Sequence, residues 1–321
     1  MMKGKHLYII GNGFDIHHEI PSKYFCKDGG DCFRKWLDEN DCDTLCEIED
    51  NFGYNTDEWW SRFEDNLASI ETLRVAYEEA FEHYPDFGSD DFHDRDWYEA
   101  EFATEQRLNK VYYDIAIAFE RWIAQLPHGN NKKKIKMNYE DSLFISFNYT
   151  HTLEELYGIP SDRILHIHGC VGNGSLIFGH GYQYEAIQKK MEEFEMVEDG
   201  DYVYQRAKDA AISGVASHRK NVEEILNNHR QWFDSLNDIA YIHIFGHSLG
   251  DVDLPYFHRI FDSCNKSDVF VEYSCRNEME YNRAISIVQS QSIPLCHFRS
   301  IDLRAHQILK ERYLEQTKSL C

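Results

Sequence analysis

The chain is poor in basic residues and has no long apolar run. Lys and Arg total 33 against 56 Asp and Glu, a formal net charge of −23 over 321 residues. A surface of that sign repels a polyanion unless its few bases are gathered in one place. The one dense group, Lys132-Lys133-Lys134 with Lys136, adjoins Gly129-Asn130-Asn131 and reads as a solvated loop. Nucleic acid is therefore not an expected partner, and a nuclease is disfavoured. No window approaches the roughly 18 apolar residues of a membrane span. The start MMKGKHLYII holds too short an apolar segment for a signal peptide, so a cytoplasmic protein with no membrane partner is expected. Paired CxxC knuckles and an HExxH helix are also missing. The nine cysteines read as reduced thiols; Cys26, Cys32, Cys42 and Cys46 share one acidic segment at irregular spacing, and no metal is expected.

What is present is a globular composition, 42% hydrophobic and 14% aromatic, able to bury a substantial core. Short apolar runs resembling buried parallel strands occur at His6–Ile10, Ser142–Phe147, Arg163–Ile167, Ile239–Phe245, Asp268–Tyr273 and Pro294–Phe298. Helical spacing follows over Leu153–Leu156, Leu254–Ile260, Glu278–Val288 and Leu303–Tyr313. The alternation predicts one α/β domain over residues 1–321, a doubly wound, mostly parallel sheet. Helical insertions interrupt it at 20–135, with Trp60, Phe63, Leu67 and Ile70 and then Leu108 to Trp122 on long amphipathic helices, and at 184–237, with Val222 to Phe233 on one face.

Four strand ends carry polar groups. Gly11-Asn12-Gly13-Phe14-Asp15 has the form of a strand-to-helix turn that directs free amides at a phosphate, or of a structural turn in which Asp15 caps a helix. Ser146, Asn148, Thr150 and His151 end the second run, where amides and hydroxyls can hold a ribose, or where Thr150 or Thr152 caps the next helix. His166 and His168 share a strand face; His168, followed by glycine, stands where the chain leaves the sheet and is the better candidate base. Gly246-His247-Ser248 ends the fourth run, its small residues suited to a nucleotide. GHSLG also matches the GxSxG of α/β-hydrolases, which would require His258, His297 or His306 as the third triad member.

Together IIGNGFDIHH, SFNYTHTLE, HIHG with FGHG, IFGHSLGDVD and WWSRFEDNLA resemble the bacteriophage abortive infection AbiH family. Their order is also similar to that of the sirtuin-like Rossmann enzymes that cleave the nicotinamide bond of NAD. The resemblance implies Gly11 and Gly13 at the phosphates, Asn148 at the ribose and attacking water, His168 as base, and Gly246 and Ser248 on the adenosine side. Asn12 stands where that pattern has alanine, and Thr150 where it has Asp. With no zinc ribbon or peptide groove visible, the resemblance implies hydrolysis of NAD, with NAD as substrate, over protein deacetylation. Glu64 is a candidate to stabilise the cationic sugar, or a surface salt bridge. A phage-derived trigger and self-assembly are expected partners; a nucleotide-sensing scaffold is the alternative.

Overall fold

The computed structural model describes residues 5–53, 56–138, 140–192, 201–303 and 307–308. The chain forms two compact units, one from the residues up to Lys23, Ile123–Ile177 and those from Asn221 onward, the other from Tyr24–Trp122 and Phe178–Lys220.

The first unit holds the sheet. Its strands are β1 (Lys5–Ile10), β2 (Ser142–Ser146), β3 (Ile164–His166), β4 (Ile239–Phe245), β5 (Phe270–Ser274), β6 (Phe298–Asp302) and the two-residue β7 (Gln307–Ile308). They lie in the order β3-β2-β1-β4-β5-β6-β7, parallel up to β6 and antiparallel at β7. From β1 the chain winds outward through β2 to β3, and from β4 outward the other way. The order reverses between β1 and β4, so the predicted doubly wound α/β sheet is present, in the Rossmann order.

Alternation along β1 shows why its run is continuously apolar. Leu7 and Ile9 face a cluster with Tyr256, Phe257, Ile260 and Phe261 of the helix Leu254–Ser263. Tyr8 and Ile10 face the opposite cluster, with Phe14, Phe144, Leu153 and Phe245. Both faces are covered, so neither set can be polar. Each fully buried Leu or Ile contributes about 1.5–3 kcal/mol.

Three expectations are corrected. The last apolar run is a 3-10 turn, Leu295–His297, and the strand follows it at Phe298–Asp302, where Arg299 is exposed. The helix expected through Trp60 and Ile70 is broken into Asp57–Ser61, Phe63–Asn66 and a 3-10 turn, the first break falling at Arg62 with φ −120°. The face from Val222 to Phe233 is likewise two helices, Val222–Asn228 and Arg230–Asp234, separated at His229, and both belong to the first unit. Leu303 lies in a turn, and most of the helix expected from there to Tyr313 falls outside the described residues.

The second unit is helical. Trp60 stacks on Phe63 with centroids 5.1 Å apart, and Phe33 meets Phe119 edge-on at 5.5 Å. The helix Thr72–Glu82 packs against Tyr202–Ser217, joining segments far apart in sequence.

Candidate functional site

At the point where the strand order reverses, the turn after β1 is bonded to the turn after β4. Gly11 N donates to Phe245 O at 2.9 Å, and Gly13 N to Gly246 O at 2.7 Å. A methyl group on Gly11 would lie 2.6 Å from His247 Cα, and one on Gly13 2.8 Å from Gly246 Cα and O. Gly246 itself has φ +69°. The glycines are there because two backbones touch. The amides of Gly11 and Gly13 are thus bonded within the protein, and neither residue has a positive φ.

The rest of that stretch is also committed. Asn12 Nδ2 donates to Ser22 O at 2.8 Å, and its Oδ1 accepts from Ser22 Oγ. The Phe14 ring is fully buried beside His18 and Tyr157. Gly11, not Asp15, occupies the cap of the helix Asn12–His17.

Asp15 is instead a buried brace. Its carboxyl accepts from Thr150 Oγ1 at 2.6 Å, from Thr152 Oγ1 at 2.7 Å and from the Asn148 amide. Burial raises its pKa to about 6, against the pull of those three donors and of His166. Thr150 and Thr152 therefore serve Asp15, and neither caps the helix Thr152–Tyr157. Ser146 is buried, its hydroxyl bonded to the backbone of Asn148 at 3.2 and 3.3 Å.

Asn148 stands apart. Its Nδ2 donates to Gly11 O at 3.2 Å, tying β2 to the turn after β1. Its Oδ1 is buried and has no hydrogen-bond partner among the described residues. An unsatisfied buried acceptor costs about 1–3 kcal/mol, so this oxygen calls for a donor.

His168 follows β3 and is 2% exposed, with Nε2 4.0 Å from Asp253 Oδ1. On the other side of that carboxylate, His247 Nε2 lies 3.4 Å from Asp253 Oδ2. His247 Nδ1 accepts from Leu249 N at 2.9 Å, which in the neutral ring puts the proton on Nε2, facing the carboxylate. The Phe147 ring meets both imidazoles edge-on, at 5.4 and 4.5 Å. Two imidazoles thus flank one carboxylate in a largely apolar setting. Asp253 precedes a helix start in the sequence, with nothing local to show that it meets two histidines. It does occupy the cap position of Leu254–Ser263, but makes no capping bond.

Ser248 is exposed, and Leu249, with φ +57°, takes the strained position that a nucleophile elbow gives to its serine. His258 is exposed, His297 packs on Phe270 at 4.2 Å, and His306 lies outside the described residues. No triad supports the α/β-hydrolase reading among the described residues. In the second unit Glu64 is held by Lys220 Nζ and Tyr24 Oη, and the buried His180 bonds Val215 O at 3.0 Å. Among the described residues Cys26, Cys32, Cys42 and Cys46 do not converge on a common point.

The first unit is thus a doubly wound α/β module with polar side chains gathered at the carboxyl ends of β1 to β4, where such sheets bind ligands. The chain belongs to the bacteriophage abortive infection AbiH family, whose family model matches residues 7–274. No curated protein and no solved structure matches it. Family membership gives it a role in abortive infection by bacteriophage. Among the described residues no helix is long and apolar enough to cross a membrane.

Proposed function

We propose that this AbiH protein stops infection by hydrolysing NAD to nicotinamide and ADP-ribose at the crevice where β1 to β4 end. The observation that carries the reading is the buried, unpartnered Asn148 Oδ1 at the end of β2. It can accept from a ribose hydroxyl or from the attacking water. His168, with Asp253 beside it, is the group that takes the proton.

The chemistry asks little more. The C–N bond to nicotinamide breaks, nicotinamide departs neutral from a cationic ring, and an oxocarbenium-like sugar is left. Water adds to that carbon and gives up one proton, which an imidazolium braced by Asp253 retains until release. Positioning, an acceptor for the water and a modest base supply the rate. The glycine turn has no phosphate role in this reading; it holds Gly11 O where Asn148 can be fixed on it.

An NADase running constantly would harm its host, so the resting protein is held inactive until a phage-derived trigger or self-assembly releases it. The direct test incubates purified protein with NAD, with and without phage lysate, and follows nicotinamide. Release that depends on Asn148 and His168 supports the reading. NAD binding without release, with phage protection intact, would replace it by the nucleotide-sensing alternative.

A further inference from the structure

The loop carrying His168 borders a second polar cluster. β3 ends at His166, the chain turns at Gly169, and Cys170 follows; from the other side the segment after β2 brings His151 and Glu154. One ring nitrogen of His151, one of His166 and the Cys170 sulfur all lie within 4.8 Å of one another. Cys170 is buried, and the two histidines are partly so.

The His151 ring already has the outer partner that a metal-ligating histidine uses. His151 Nε2 lies 2.8 Å from Val171 O, and a carbonyl can only accept, so the proton sits on Nε2. In a neutral ring Nδ1 is then bare and faces Glu154 Oε1 at 3.4 Å, one acceptor against another. His166 Nε2 lies 2.9 Å from the same oxygen, while its Nδ1 is buried without a partner, as is Glu154 Oε2. A cation lodged between His151 Nδ1, His166 and Glu154 turns this clash of acceptors into shared ligation.

We propose that His151, His166 and Cys170, completed by Glu154, bind one divalent cation of the zinc type in a closed tetrahedral site. Thiolate with imidazole selects a borderline-soft ion and disfavours magnesium and calcium. Tetrahedral ligation at zinc distances needs ligand atoms about 3.3–3.8 Å apart, so the cluster must contract by about 1 Å. Thiolate and carboxylate together neutralise the ion. Four protein ligands leave no position for water, so the ion fastens the end of β3 and the Cys170 loop to the helix Thr152–Tyr157. It braces the segments that carry Asn148 and His168 and performs no chemistry itself. The site stands whether or not the protein cleaves NAD.

The test uses the full chain, stripped with chelator and titrated with Co²⁺ and then Zn²⁺. One equivalent is expected to bind, with a thiolate-to-cobalt charge-transfer band that zinc displaces. Cys170→Ser should abolish the band, and His151→Gln and His166→Gln should each weaken affinity at least about tenfold. The fourfold Cys26, Cys32, Cys42 and Cys46 to Ser variant should keep it. Absence of the band in wild type, its survival in Cys170→Ser, or its loss in the fourfold variant alone would overturn the proposal. If Cys170→Ser does not fold, His151→Gln at the less buried position decides the matter, since unchanged affinity there is equally fatal.

Discussion

Asn148 and His168 act on one transition state in the proposed reaction, and their substitution should show it. His168→Ala and Asn148→Ala are each expected to lower nicotinamide release by about 10²–10⁴-fold with little change in NAD binding. The double variant should lose far less than the product of the single losses. Full turnover in folded His168→Ala would remove it as the base. Asp15 offers a second test because its carboxyl is fully buried with a pKa of about 6, above the ordinary value near 3.8. A raised folded pKa gives stability that is present below about pH 4 and is lost as pH rises through 6. Asp15→Asn lacks that titration. Wild type should therefore gain about 3 kcal/mol relative to Asp15→Asn between about pH 7 and 3.5, measured by urea unfolding. A constant difference would show that the carboxyl is not desolvated.

The turn after β4 separates two costs that a left-handed glycine can carry. Gly246 has φ +69°, and a methyl there would run into Phe14 N and Gly13; Gly158 has φ +65° with nothing within 4 Å. Gly158→Ala should cost about 1 kcal/mol, the strain alone. Gly246→Ala should cost roughly 3 kcal/mol or more, because the clamp between the two turns must open. Equal losses in denaturant unfolding would mean that the turns are not in contact. At this scale β1, β2 and β4 were readable in the sequence within a residue, since strands covered on both faces are written as unbroken apolar runs. β6 was displaced by four residues because it alternates near the sheet margin and carries Arg299, while PLCHF in front of it is the more apolar. The break at Arg62 left no sign, because Trp60 and Phe63 bury their rings in a broken helix as they would in a continuous one.

Across the whole molecule acidification should be destabilising. His18 in the first unit and His180 in the second are kept neutral by burial, each with a pKa lowered to about 4. Depressed histidine values give stability that is present above about pH 6.5 and is lost as pH falls through 4, about 3 kcal/mol each. Together they outweigh the opposite contribution of Asp15, so the urea midpoint should fall between pH 7 and 4; a rise would contradict the burial of both rings. The sequence by itself determined the winding of the sheet, because strand and helix are set by local periodicity, and it determined which strand ends carry amide, hydroxyl and imidazole groups. It also placed His168 where the chain leaves the sheet, since the apolar run ends there and glycine follows. Which partner each group meets was decided only by the tertiary structure. Asp253 reaches His168 and His247 from separate strand ends, Asp15 is bonded to Thr150 and Thr152 across more than a hundred residues, and Gly13 touches Gly246. The letters of a GxG turn do not say which backbone it will touch, and only the position of β4 beside β1 brings Gly11 and Gly13 onto Phe245 and Gly246.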